Sequence, residues 1–106
     1  MTSNYVPYNA STGKAYQEGN VLILTLRATE LNGLNDPRWL TFLQAKELGF
    51  HVKKGAKSAK IAFCTVKIVK DEETGKDKEH KVIKHYNVFH ASQIEGIPPY
   101  KASQGE

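Results

Sequence analysis

The 106-residue sequence has little cysteine and no long apolar segment. Cys64 is its one cysteine, which excludes an intramolecular disulfide and a multi-thiolate metal site within one chain. Because Cys64 ends the apolar run Ile61–Cys64, we expect a buried, inert thiol. No secretory segment follows Met1, and no apolar stretch approaches the ~18 residues of a membrane span. The sequence thus predicts a cytoplasmic protein that does not associate with membranes.

Motifs of catalysis are also missing. The sequence contains no glycine-rich phosphate loop before a helix, no Gly-x-Ser-x-Gly elbow and no His-Glu-x-x-His zinc helix. His85 and His90 are an odd number of positions apart, so a regular strand would place them on opposite faces and would not let them chelate one metal. The sequence therefore predicts no enzyme, no cofactor and no metal.

Acidic residues are absent from one long stretch of the chain. Lys and Arg total 15 against 11 Asp and Glu, a net charge of +4. From Leu48 through Lys70 there is no acid, and six lysines occur there: Lys53, Lys54, Lys57, Lys60, Lys67 and Lys70. The acids gather instead in residues 71–79. This separation predicts a positive surface suited to an anionic partner.

The first long apolar segment, residues 21–31, predicts a helix. Asn20 is a plausible N-cap and Asn32-Gly33 a plausible stop. Its β-branched residues leave a buried strand as the alternative, but a length of about eleven residues favours a mostly buried helix.

A second helix is predicted over residues 37–48. Asp36 can cap it, Pro37 suits the first helical position and Gly49 suits the position after the last turn. One stripe of this helix would carry Trp39, Phe42, Leu43 and Lys46, and we expect Leu40 and Leu43 to pack inward.

The remainder of the chain predicts strands. Residues 50–57 form a short extended piece that enters a tight turn at Gly55. Residues 60–69 and 81–90 alternate as the two strands of a long hairpin with a charged tip at 70–80. One helical turn is expected at 92–96. The predicted fold is α+β, two main helices packed on a small antiparallel sheet, with one domain over 1–98 and a flexible tail over 99–106.

Cations and aromatic residues alternate along the chain, as in proteins that bind single-stranded nucleic acid. Such proteins combine positive charges that follow the phosphates with aromatic rings that stack on bases. The turn at Gly55 could present Lys53, Lys54 and Lys57 to one run of phosphates. Composition alone leaves a solvated turn, and a core position for Trp39 and Phe42, equally open.

A longer string makes the hypothesis more specific. Residues Pro37–Gly55 closely resemble the signature of the N-terminal domain of ArdC-type antirestriction proteins, a domain shared with TraC-type conjugative primases. The segments Asn9–Tyr16 and Tyr86–Pro98 are similar to two further parts of the pattern, although His90 stands where the family commonly has Asn. The resemblance covers residues 9–98. It implies a non-catalytic domain of a plasmid, phage or conjugative element that binds single-stranded DNA largely without sequence preference.

The resemblance and the residue types together predict a set of DNA contacts. We expect Lys14, Arg38 and the lysines of the Gly55 turn to contact phosphates, and Tyr16 and Tyr86 to stack on bases. Polar contacts are expected from Asn20, Gln44 and His51. Trp39 fits the core and a DNA contact equally well.

Two alternatives to a free-standing DNA-binding domain stay open. The chain could be a protein-interaction module that inhibits a restriction or DNA-processing enzyme. It could also be the DNA-targeting appendage of a larger metallopeptidase or primase.

Overall fold

The computed structural model describes residues 5–101. Within this range the chain forms two α-helices, six strands and one 3₁₀ turn. In chain order these are β1 (Tyr8–Asn9), α1 (Glu18–Glu30), β2 (Arg38–Thr41), α2 (Phe42–Glu47), β3 (His51–Val52), β4 (Ala59–Lys70), β5 (Asp77–His90), the 3₁₀ turn (Ala91–Gln93) and β6 (Ile94–Glu95).

Four of the strands form the main sheet, in the order β1-β2-β5-β4. β4 and β5 make a regular antiparallel hairpin from the pair Ala59–Val88 to the pair Lys70–Asp77. β1 lies parallel to β2, so the sheet is mixed rather than wholly antiparallel. β3 and β6 form a separate two-stranded antiparallel sheet. The predicted α+β class and the long hairpin are confirmed.

The two faces of the main sheet bury different cores. On one face, Leu24 and Ala28 of α1 pack on Trp39, Ile61 and Val88, all fully or almost fully buried. On the other face, Leu40 packs against Ala45 of α2 and Ile94 of β6. Because side chains alternate along a strand, Trp39 and Leu40 serve opposite cores. The sheet is therefore the middle layer, with α1 on one side and α2 with the small sheet on the other.

Helix α1 confirms the predicted helix but differs in its bounds and its burial. It begins at Glu18 after Gln17, so Asn20 lies within the first turn and is not the cap. It ends at Glu30, and Asn32 follows with a positive φ of 55°. One face alone is buried, and Leu22 on the other is 65% exposed. The prediction of a mostly buried helix is wrong, since the helix covers an outer face of the sheet.

The second predicted helix begins five residues later than expected. Residues 38–41 are strand β2, which pairs with β5 through Trp39–His90 and its neighbours. Helix α2 starts at Phe42, because Thr41 and Gln44 form a reciprocal capping box. Leu40 is buried as expected, but Leu43 is 62% exposed. Pairing with β5 thus overrides the helix-start signal of Pro37.

Smaller expectations concern Cys64, the turns at the hairpin tip and at Gly55, and the C-terminal segment. Cys64 is exposed rather than buried, because the hairpin continues beyond the core that ends near Ile61 and Val88. The hairpin tip is shorter than predicted and occupies residues 71–76. The predicted helical turn at 92–96 is the 3₁₀ turn followed by β6. The positive φ of 82° at Gly55 confirms the tight turn there. Residues 102–106 of the predicted tail lie outside the described range.

A chain of hydrogen bonds fixes the segment before β2 against the core. Trp39 Nε1 donates to Tyr5 Oη at 2.9 Å, and Tyr5 Oη donates to the carbonyl of Asp36 at 3.0 Å. His90 Nε2 lies 2.7 Å from the same carbonyl oxygen, and His90 Nδ1 lies 3.1 Å from the backbone nitrogen of Ser92. Since Ser92 N–H can only donate, Nδ1 accepts and Nε2 carries the hydrogen.

The close approach of Gly33 to His90 gives a first prediction. A Cβ at position 33 would lie 2.3 Å from His90 Cε1, and the buried, hydrogen-bonded ring has no room to move. Gly33→Ala should therefore lower the free energy of unfolding by roughly 1–3 kcal/mol. Gly19→Ala is the matched control, since nothing lies within 4 Å of its added Cβ in α1. The control should raise stability by about 0.5–1 kcal/mol. Equal urea midpoints for the two variants would contradict the packing argument.

Burial of tyrosines predicts loss of stability in alkali. Burial raises the pKa of Tyr5 from 10.0 to about 12, and it also raises the pKa of Tyr8 and Tyr16. Because the pKa of Tyr5 is higher in the folded than in the unfolded state, its protonated hydroxyl contributes to the free energy of unfolding. This contribution is complete below pH 10 and is lost as pH rises towards 12. Urea unfolding across this interval should show falling stability, and Tyr5→Phe should flatten the fall. A fall of unchanged steepness in Tyr5→Phe would assign it to other groups.

Candidate functional site

An open groove of about 660 Å³ lies on the α1 side of the main sheet. Its floor is the hairpin, with Phe63 from β4 and Tyr86 from β5 among the lining residues, and the loop before α1 forms a wall. The Phe63 and Tyr86 rings meet edge to face with centroids 5.6 Å apart, and Phe63 lies 6.4 Å from the Tyr16 ring. Lys14 and Lys84 also line the groove. Three aromatic rings and two ammonium groups therefore share one concave surface.

The buried side chain of Asn9 holds the groove wall in place. Its Oδ1 accepts hydrogen bonds from the backbone N–H groups of Ser11 and Thr12, at 2.9 and 3.0 Å. Its Nδ2 donates to Tyr16 Oη at 3.2 Å and to Gln44 Oε1 at 2.8 Å. One amide thus makes four bonds, which is its ordinary capacity. The Asn9 side chain therefore links the loop before α1, the Tyr16 ring and the start of α2.

Gln44 has a structural role and also faces the groove. Its Oε1 accepts from the Thr41 backbone N–H at 3.1 Å as well as from Asn9, and its own backbone N–H donates to Thr41 Oγ1. Both side-chain bonds use Oε1. The Nε2 end is therefore the part of the amide that a ligand in the groove could meet.

Asn20 lies at the edge of the sheet and is buried. Its Nδ2 donates to the carbonyl of Ala62 at 2.9 Å, and its Oδ1 accepts from the Ala62 N–H at 3.0 Å. The side chain thus pairs with the edge strand β4 much as a neighbouring backbone would. Asn20 fixes α1 to the hairpin and is not among the residues that line the groove.

Lys53, Lys54 and Lys57 lie on an exposed turn between β3 and β4. The turn is anchored by the Lys53 N–H, which donates to the carbonyl of Gln93 at 2.8 Å, and by the Ala56 N–H, which donates to the carbonyl of Lys53 at 3.1 Å. None of the three lysines lines the groove. His51 is exposed in β3 and pairs with Glu95 of β6. The turn is therefore a second positive surface, distinct from the groove.

Arg38 is held in an ion pair. Its Nε and one terminal nitrogen donate to the two carboxylate oxygens of Asp36 at 2.9 and 2.8 Å, and its other terminal nitrogen donates to the carbonyl of Pro98. Burial alone would raise the pKa of the Asp36 carboxyl, but the hydrogen bonds from Arg38 outweigh it and lower the pKa. The same pairing raises the pKa of Arg38. Its charge is thus largely engaged within the protein, and its guanidinium also lies over the Tyr100 ring.

The structure separates the predicted site residues into three groups. Lys14, Tyr16, Gln44 and Tyr86 meet at the groove; His51 and the three turn lysines lie elsewhere; Asn20 and Trp39 are buried and Arg38 is ion-paired. Trp39, with no exposed surface, packs edge to face on His90 at 5.0 Å.

Sequence reasoning missed Asn9, Phe63 and Lys84 as residues of the groove. Lys84 could have been found from strand alternation, since Lys84 and Tyr86 share a face of β5. Asn9 could have been found from the turn sequence that follows it, because Asn side chains commonly accept hydrogen bonds from backbone N–H groups further along a turn.

Residues 5–101 contain neither a metal-binding cluster nor a membrane-spanning helix. Within that range no cluster of three or more His, Cys, Asp or Glu side chains could hold a metal ion. In the same range no helix has the length and apolar character needed to cross a membrane.

The role of Asn9 can be tested by removing its amide. Asn9→Ala should lower the free energy of unfolding by roughly 1–3 kcal/mol, because buried partners lose their hydrogen bonds. It should also speed hydrogen exchange at the Ser11 and Thr12 amides. Asn35→Ala, in an exposed loop, is the control and should change neither property. Unchanged exchange in Asn9→Ala would show that the loop holds its shape by other contacts.

Comparison with known proteins agrees with the resemblance inferred from the sequence. Residues 1–89 match the family model described as the N-terminal domain of anti-restriction factor ArdC. Two curated proteins of Escherichia coli named DNA primase TraC are 31% and 30% identical over 98% and 90% of this chain, which covers 11% and 7% of their lengths.

Two solved structures are also similar. The antirestriction ArdC protein from R388 plasmid in its metal-free structure has a TM-score of 0.73 and 40% identity, over 88% of this chain and 33% of that chain. Its Mn(II)-bound structure has a TM-score of 0.67 and 36% identity, over 89% and 36%. The chain thus spans about a third of the ArdC protein and about a tenth of the primases. It belongs to the family of N-terminal domains of the anti-restriction factor ArdC.

Proposed function

We propose that this chain binds single-stranded DNA in the groove without catalysing a reaction. The observation that carries the proposal is the meeting of exposed aromatic surface and unpaired positive charge in one concave site. Tyr86 is 42% exposed, and its ring rests edge to face on Phe63, so it is a fixed platform for a base. Among the described residues, Lys14 and Lys84 form no ion pair and can take phosphates.

The chemistry of the groove favours single strands over duplex. A base can stack on Tyr86 only if it is free of its neighbours in a helix, and duplex DNA offers phosphates but no free base faces. Polar side chains that line the groove besides Asn9 are those of Thr12, Gln17, Thr41, Gln44 and Thr65. Stacking on Tyr86 and contacts to phosphates require no particular base, so binding should depend weakly on sequence.

The basic turn supplies additional charge. Lys53, Lys54 and Lys57 are exposed, and the turn lies next to the beginning of β4, the strand that forms part of the groove floor. We propose that they contact flanking phosphates. Arg38 contributes less than the lysines, because Asp36 neutralises it. Tyr16 is 8% exposed and serves as a wall of the groove more than as a platform.

The relatives suggest the setting in which such binding is used. They are named as an antirestriction protein of a plasmid and as DNA primases. We infer that this chain belongs to a protein of a mobile element and positions that protein, or its partners, on single-stranded DNA. An antirestriction role is the corresponding proposal for the physiological function.

Substitution of Tyr86 tests the stacking part of the proposal. Tyr86→Ala should weaken binding of a labelled oligothymidylate roughly 5- to 150-fold, since one stacked base contributes roughly 1–3 kcal/mol. Phe42→Ala is the control, because Phe42 is 58% exposed on α2 and does not line the groove. Fluorescence anisotropy with single-stranded and duplex probes gives both affinities. Equal affinity for duplex and single strands would reduce the claim to general polyanion binding, and no binding to either would favour a protein-interaction module.

Charge reversal separates the two positive surfaces. If the groove and turn lysines engage about five phosphates, the logarithm of the affinity should fall with the logarithm of salt with a slope of roughly −3.5. Lys14→Glu with Lys84→Glu should weaken binding and make the slope shallower by about 1.4. Lys53→Glu, Lys54→Glu and Lys57→Glu together should do so by about 2.1. If one of the two sets of substitutions leaves the salt slope unchanged, the surface that carries that set is not part of the binding site.

A further inference from the structure

The β4–β5 hairpin extends beyond the core as an arm, defined here as residues 62–86. Ala59 and Val88 form the last pair with both members buried, Ile61 is the last buried residue of β4, and most side chains of the arm are exposed. The molecule is accordingly elongated, 55 × 34 × 27 Å. A two-stranded arm of this length has two solvent-facing surfaces and contributes little to the core.

The two surfaces of the arm differ in charge. Residues directly opposite each other in an antiparallel pair lie on the same face of the sheet. The face that continues the floor of the groove, here called the groove face, has the pairs Phe63–Lys84, Thr65–Val82, Lys67–His80 and Val69–Lys78. The other, here called the back face, has the pairs Cys64–Ile83, Val66–Lys81, Ile68–Glu79 and Lys70–Asp77. The four groove-face pairs contain three lysines, a histidine and no carboxylate, and the Asp71 carboxylate approaches this face only at the tip, where it pairs with Lys78. The back face mixes apolar, basic and acidic residues.

Local stability does not explain this arrangement. Lys67 lies directly opposite His80, a cross-strand pair that offers no opposite charge to stabilise the hairpin. Lys78 alone among the groove-face lysines has an acidic partner in the described structure, Asp71 at 3.1 Å near the tip. Lys67 and Lys84 have no acidic partner among the described residues, and such positive charges spaced along an exposed arm are suited to an anionic ligand that runs along it.

We propose that the groove face of the arm continues the DNA-binding site, an inference that rests on the proposed function of the groove. A strand that stacks on Tyr86 passes Lys84 and then follows Lys67 towards the tip. The path from Phe63 to Val69 is about 20 Å long at ~3.3 Å per residue, enough for several nucleotides. Beyond the Phe63–Lys84 pair the groove face carries Thr65, Val69 and Val82 but no Phe, Tyr or Trp ring. The arm therefore contributes phosphate contacts and extends the site without adding base preference.

The test compares short and long oligothymidylates on matched variants of the 106-residue chain. Probes of about 6 and about 18 nucleotides bracket the range of single-strand site sizes. The arm variant carries Lys67→Glu and Lys78→Glu on the groove face. The control carries Lys70→Glu and Lys81→Glu on the back face, with the same change in net charge on the same hairpin. Far-UV circular dichroism and urea unfolding establish that both variants fold.

The arm variant should bind the long probe about tenfold more weakly and make its salt slope shallower by about 1.4, while its affinity for the short probe stays within about twofold. The back-face control should affect the long probe much less. Equal effects of the two variants, or equal affinity of the unmodified protein for both probes, would overturn the arm proposal while leaving groove binding intact. Failure of the unmodified protein to bind either probe would overturn the groove proposal, and the arm proposal with it.

Discussion

The groove depends on one buried amide. Asn9 sits in the two-residue strand β1, yet its side chain determines the position of the loop before α1, of the Tyr16 ring and of the first turn of α2. Tyr16 and Ala45 of α2 also pack into the two hydrophobic cores, but these cores lie on opposite faces of the sheet, and the Asn9 amide links the two parts to each other. The four bonds require a side chain that donates two hydrogen bonds and accepts two, and only Asn or Gln does so in an uncharged form.

Such rigid support has a consequence for binding. A site whose walls are already fixed loses little conformational entropy when a flexible strand enters it. The Phe63–Tyr86 pair and the capping box at Thr41 add to this, since each keeps a groove residue in one orientation. The lysines around the groove remain exposed and adaptable, which suits contacts to phosphates whose positions vary. The aromatic side chains thus hold their orientation before a strand binds, whereas the lysine side chains adjust to the phosphates.

Sequence patterns predicted the parts of the fold that depend on local signals. The long hairpin follows from strand alternation, and the Gly55 turn follows from a residue that tolerates a positive φ. The start of α2 could not be decided locally, because Pro37 after Asp36 and the Thr41-x-x-Gln44 box are both helix-start signals. Pairing of β2 with β5, a contact between residues about fifty positions apart, decided between them.

The same limit applies to the candidate site. Lys14, Tyr16, Gln44 and Tyr86 meet in the groove, but no periodic pattern shows that the loop before α1 lies over the hairpin. The residue type of Trp39 does not decide between a core position and a DNA contact. Trp39 is buried because the face of β2 on which it lies packs against α1. Cys64 appeared buried because it follows apolar residues, but an apolar run in a strand longer than its core ends in solvent. Burial depends on what covers a residue, and that information is not local.

The contact between Asn20 and Ala62 has a consequence for solubility. β4 is an edge strand of twelve residues, and exposed edges of that length tend to pair with edges of other copies. Asn20 forms hydrogen bonds with the backbone N–H and carbonyl of Ala62, so these groups are not free to pair with a further strand where the core ends. Farther out, Lys67 and Lys70 would bring like charges together if two copies aligned their β4 strands. The hairpin can therefore remain long and partly apolar, with Val66 and Ile68 in solvent, while its edge is protected against the edge-to-edge pairing that leads to aggregates.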